Sequence, residues 1–133
     1  MVFIYWIEGN PKFVDRVDEI YRRIRDRGDT LCTSVFTLGE LLVGPRLKNN
    51  QIVETQIRRM LTGSEVELLP INETTMLHYA QIRATTGASS ADAIHLASAS
   101  QAEVDLFITN DSRLRNFIVP GINFLAGIDG SVL

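Results

Sequence analysis

Apolar residues recur along this chain with two periods. Between Pro11 and Arg27, Phe13, Val14, Val17, Ile20, Tyr21 and Ile24 repeat at helical spacing, with Pro11 near a first turn and Gly28 near the end. The spacing returns over Ile52 to Leu61 and Thr74 to Ala84, and Ser90 to Ala102 is alanine-rich with its apolar residues on one side. Leu31 to Val35, Val66 to Ile71, Leu106 to Thr109 and Ile122 to Leu125 are instead short, β-rich and bounded by turn residues, which predicts four strands. Strands separated by helices imply an α/β fold with parallel pairing, right-handed crossovers and helices on both faces. Val2 to Ile7 runs unbroken through β-formers, and by propensity alone is a buried strand.

A length of 133 residues suits one domain, 1–133, with no repeat or Pro/Gly/Ser linker to divide it. Hydrophobic residues at 45% against 22% charged place it far from disordered composition. A net charge of -3 argues against binding nucleic acid through a broad basic surface. It leaves a nuclease open, because a metal neutralises an acidic site and local arginines can still grip phosphates. Cys32 is the lone cysteine and cannot form an internal disulfide, so a buried thiol in a reducing compartment is expected. The longest apolar run, Met1 to Ile7, is far too short to span a bilayer and has no basic flank, so a cytoplasmic protein without a membrane partner is expected.

In an open parallel sheet, ligands gather beyond the carboxyl ends of the strands. Asp111 directly follows the predicted strand ending at Thr109, where a turn or helix-capping aspartate would also sit. Asp92 stands two residues after a Ser90 N-cap, a position that also suits a helix-dipole partner. Glu40 lies among Leu38, Leu41, Leu42 and Val43, and a carboxylate embedded there needs a partner or a metal. Three acids at one end of a sheet would supply oxygen ligands for Mg²⁺ or Mn²⁺, which activate water and stabilise charge on a phosphoryl group. Cys32 has no partners at zinc spacing, and no GxxxxGK[ST], GxGxxG or GxSxG motif is present. His78 reads as a surface or packing residue. His95, three residues after Asp92, shares its helical face and reads as a satisfied core histidine that could approach the acids.

Thr33-Ser34-Val35-Phe36-Thr37-Leu38-Gly39-Glu40-Leu41-Leu42-Val43-Gly44-Pro45, Ser90-Ala91-Asp92-Ala93-Ile94-His95-Leu96-Ala97-Ser98-Ala99 and Phe107-Ile108-Thr109-Asn110-Asp111-Ser112-Arg113-Leu114, in that order and separation, resemble PIN domains. The likeness is greatest to the VapC toxins of toxin-antitoxin pairs, and extends to Ile4 through Pro11. The resemblance implies a three-layer α/β/α fold and Mg²⁺- or Mn²⁺-dependent cleavage of RNA. It also implies Glu40, Asp92 and Asp111 as catalytic metal ligands with Thr109 in support, a protein antitoxin and a homodimer. PIN domains usually open with a hydrophobic strand ending in an aspartate, just before a segment like Val2 to Pro11. No such strand precedes Met1, and neither Glu8 nor Asp15 occupies the matching position. On that resemblance Val2 to Ile7 begins a helix, and the sequence is expected to start at an internal methionine of a longer product, a truncated form being the alternative.

Arg113 and Arg115 could reach phosphate, although a solvated surface suits them, as it does Arg22, Arg23, Arg25 and Arg27. Two functions compete: a ribonuclease, and a PIN-like interaction protein that binds antitoxin or RNA without turnover. Another Mg²⁺-dependent phosphoryl-transfer enzyme is disfavoured by the missing nucleophile and phosphate-loop motifs.

Overall fold

The computed structural model describes residues 11–128. The Val2 to Ile7 segment lies outside them. The first described helix, α1 (Val14–Arg27), buries Val17 and Ile20 and begins just beyond Pro11. It stops where Gly28 takes φ 72°, a left-handed conformation costly to residues with a Cβ. The Gly28 and Asp29 N–H groups then donate to the carbonyls of Arg25 and Ile24, at 3.1 and 3.0 Å.

Strand β1 (Cys32–Ser34) ends one residue sooner than its β-rich run. Ser34 is the reason: its hydroxyl accepts the Phe36 N–H at 3.1 Å, capping α2 (Val35–Leu47). The cap overrides the strand preference of Val35, Phe36 and Thr37. Next come α3 (Gln51–Thr62), capped by Asn50, and β2 (Glu67–Leu69). Helix α4 (Glu73–Thr86) starts with an Asn72–Thr75 capping box, and α5 (Ser90–Gln101) follows it. Strand β3 (Leu106–Thr109), a 3₁₀ turn (Leu114–Asn116) and β4 (Phe124–Gly127) complete the described chain, β4 lying two residues later than its apolar pattern predicts.

Both strand pairs are parallel, as the alternation of strands and helices requires: Cys32 stands opposite Glu67, and Leu106 opposite Phe124. Among the described residues the pairs form two separate two-stranded sheets instead of one central sheet. The Glu67 N–H donates to the Leu31 carbonyl at 2.9 Å, and the Phe124 N–H to the Asp105 carbonyl at 3.0 Å. In a parallel ladder alternate residues serve one neighbour. Leu31 and Thr33 therefore face β2, and Asp105 and Phe107 face β4, while Cys32, Leu106 and Ile108 turn their backbone groups to the opposite edges. Those edges border a cavity of about 1420 Å³ that α1 lines with Val17, Ile20 and Ile24.

The core divides in the same way. Leu41, Ile57, Leu61 and Val66 form a cluster beneath the first pair. Ile82, Ala93, Leu96, Ala97, Leu114 and Val119 belong to a larger one beside the second pair, and Val17 and Ile20 meet Ile128 in a third. Helix α5 joins the halves by packing on α4 and on β1.

Candidate functional site

The cavity between the half-sheets has an acidic end. Glu40, Asp92, Asp111, His95 and Thr109 all line it, brought there by α2, the first turn of α5, and the turn after β3. Each acid already has an internal partner.

Glu40 projects from the second turn of α2, the helix fixed by Ser34. Its Oε1 lies 2.8 Å from His95 Nε2, in a pair whose side chains are 33% and 19% exposed. An ionised carboxylate only accepts, so Nε2 carries the hydrogen. Phe36 holds the imidazole in place, with ring centroids 5.4 Å apart. His95 is thus satisfied, as expected, and its partner is Glu40. The Thr33 and Thr37 hydroxyls, 2.8 Å apart, tie the end of β1 to the first turn of α2.

Asp92 occupies the third position of α5. The N-cap is Ser89, one residue earlier than the sequence pattern indicates, because Ser-x-x-Asp permits a reciprocal bond that Ser90 cannot make. The Ser89 hydroxyl donates to Asp92 Oδ2 at 2.9 Å and accepts the Asp92 N–H at 3.3 Å. The Ser90 hydroxyl accepts from Arg83 Nη1 at 2.6 Å.

Asp111 is fixed from both sides. Its N–H donates to Thr109 Oγ1 at 3.0 Å, so Thr109 serves as an acceptor that shapes the turn. Arg113 grips the carboxylate in a fork, Nε to Oδ1 at 3.0 Å and Nη2 to Oδ2 at 2.6 Å, and its backbone N–H adds a bond at 3.0 Å. Sequence pattern places Arg113 on a solvated surface; its side chain is indeed 79% exposed, yet its charge is committed to Asp111. The Asp-x-Arg spacing is the one signal that could have shown this.

The Arg113 side-chain hydrogen bonds, with its backbone N–H second, pull the Asp111 pKa from 3.8 to about 2. Because the folded state prefers the ionised form, this contribution to stability is present above the unfolded pKa and is lost as pH falls through about 2. Titration of the Asp111 side-chain carbon by NMR should give a midpoint near 2, and R113Q should move it up toward 3.8. An unmoved midpoint in R113Q would show that the fork does not hold the carboxylate.

The donor chemistry suits Mg²⁺ or Mn²⁺: three carboxylates at one cavity end, one of them held ionised. Their present geometry is not a coordination sphere. Among the described residues no group of three His, Cys, Asp or Glu side chains stands close enough together to hold a metal ion. His95 and Arg113 occupy the carboxylate oxygens that a cation would need.

Cys32 also lines the cavity, half-buried, and burial followed by the Glu67 charge raises its thiol pKa. His78 joins α4 to α5, with Nδ1 3.0 Å from the Ser100 hydroxyl. On α1, Arg23 pairs with Glu19 at 2.7 Å and Arg27 with Asp29 at 2.8 Å, as a solvated face would. No described helix is long and apolar enough to cross a membrane.

The PIN domain model matches residues 1–118. The chain belongs to the PIN domain family. Its fold is similar to a chain in the crystal structure of VapBC2 from Rickettsia felis bound to a DNA fragment from their promoter. The TM-score is 0.75 at 17% identity, covering 95% of this chain and 92% of that one. No curated protein matches the sequence.

Proposed function

We propose that the chain is a VapC-type toxin that cleaves RNA phosphodiesters with Mg²⁺ or Mn²⁺, using Glu40, Asp92 and Asp111 as metal ligands. The observation that carries this reading is that all three acids, far apart in sequence, line one end of one cavity. The bound cation would supply water activation and charge stabilisation at the phosphoryl group. Asp111, ionised through the working pH range, would anchor it. Thr109 sets the turn that aims Asp111, Ser89 restrains Asp92, and His95 and Phe36 orient Glu40.

Membership of the PIN family and the fold shared with a VapBC protein support the nuclease and an antitoxin partner. A homodimer and a reducing, cytoplasmic setting complete the reading. An antitoxin that covers the acids with a basic side chain would do from outside what Arg113 does from within. The same fold favours a second reading, a scaffold that binds antitoxin or RNA without turnover, because each acid is already engaged by an internal donor.

Cleavage of labelled RNA with and without Mn²⁺ separates the two. D92N and D111N should each lower the rate at least about 100-fold, since outer-shell partners of a metal alone account for about 10- to 100-fold. RNA that binds this chain but stays intact at all Mn²⁺ concentrations would favour the scaffold.

A further inference from the structure

Among the described residues, Arg113 is the one whose position is at odds with a cation on Asp111. Its fork takes both Asp111 oxygens. The guanidinium therefore sits on one of the three acids as a tethered cation. Two features make the arrangement reversible. The side chain is 79% exposed, and an exposed ion pair is weak enough for a multivalent ion to displace. The same planar fork that fits a carboxylate fits a phosphodiester.

We propose that Arg113 is a phosphate-binding residue masked by Asp111: it must leave Asp111 before that carboxylate can serve a cation, and once released it grips the RNA backbone beside the acids. This rests on the metal-site reading above. Its consequence is a coupling. Cation and RNA each bind better in the presence of the other because both favour the released arginine, one by taking its carboxylate and the other by taking its guanidinium. Without the cation, Arg113 contributes nothing to RNA binding. Asp111 thus prevents the site from holding RNA by this arginine before it is ready to cut.

The experiment compares wild type, R113Q and R113K. Mn²⁺ binding is followed by the EPR signal of the free ion. RNA binding is followed by stopped-flow anisotropy of a fluorescein-labelled oligonucleotide, read before turnover. Removing the competitor should tighten Mn²⁺ binding in R113Q by about two- to fivefold, the range expected for losing one exposed ion pair. With Mn²⁺ present, the slope of log K for RNA against log salt should become shallower by about 0.7 in R113Q, one phosphate contact on a single strand. Without Mn²⁺ the slopes of wild type and R113Q should coincide. R113K, which keeps the charge but lacks the fork, should retain most of the slope while binding Mn²⁺ more tightly than wild type. Equal or weaker Mn²⁺ binding by R113Q, or a slope change that is the same with and without Mn²⁺, would overturn the masked-arginine proposal and leave the metal site standing. Absence of Mn²⁺ binding from all three proteins would overturn the metal-site reading and this proposal together.

Discussion

Leu96→Ala is expected to lower the unfolding free energy by about 2 to 5 kcal/mol, a large part of the about 5 to 15 kcal/mol that holds a typical domain folded. Leu96 is 0% exposed and sits in the largest core cluster. Its flanking buried residues on α5 are Ala93 and Ala97, whose methyl groups cannot swing into the space a truncated leucine leaves. The cavity would therefore persist, which puts the cost in the upper part of the range. The same helix carries Asp92 and His95 on the turn before Leu96 and packs on both α4 and β1, so loosening it disturbs the acidic end and the junction of the halves together. Urea unfolding followed by circular dichroism measures the loss. A change below about 1 kcal/mol would mean that α5 is not the central support this packing makes it.

Much of the alternation of strand and helix was legible, because α1 and α3 carry apolar residues at helical spacing and Gly28 ends α1. The acids were legible for the same reason, since Asp111 follows β3 and Asp92 falls in the first turn of α5. Interactions across the chain were not. Glu40 and His95 are 55 residues apart, and nothing local to either indicates that one satisfies the other. The N-cap of α5 was misplaced by one residue because Ser89 and Ser90 are chemically identical and only the reach to Asp92 separates them. Local propensity extended β1 into Val35, where a single serine hydroxyl decides for helix. Among the described residues the sheet is divided, and which strands pair was hidden, because the pairing of Cys32 with Glu67 and of Leu106 with Phe124 is fixed by packing between distant segments.

That division leads to the second large effect. Extending the chain ahead of Met1 by a short strand of four alternating valines and leucines that ends in aspartate should raise the thermal midpoint by about 6 °C. Among the described residues, the cavity between β1 and β3 presents backbone edges on two sides and the apolar face of α1 on a third, surroundings that suit a further strand. Burying each aliphatic side chain contributes about 1.5 to 3 kcal/mol, against about 1.5 kcal/mol per residue for ordering the strand. Four aliphatic side chains set against the ordering of five residues yield a net gain of about 1.5 kcal/mol at the middle of those ranges, and each kcal/mol moves the midpoint of a domain this size by about 4 °C. A strand parallel to both neighbours would deliver its terminal aspartate to the carboxyl ends, beside Glu40, Asp92 and Asp111. RNA cleavage should then rise with stability, and asparagine in place of the added aspartate should keep the stability while losing the gain in cleavage. Proline in the middle of the added segment removes a ladder donor and should abolish both gains. If the proline and all-aliphatic extensions raise the midpoint equally, the added residues do not enter the sheet; if neither raises it, the cavity does not accept a strand.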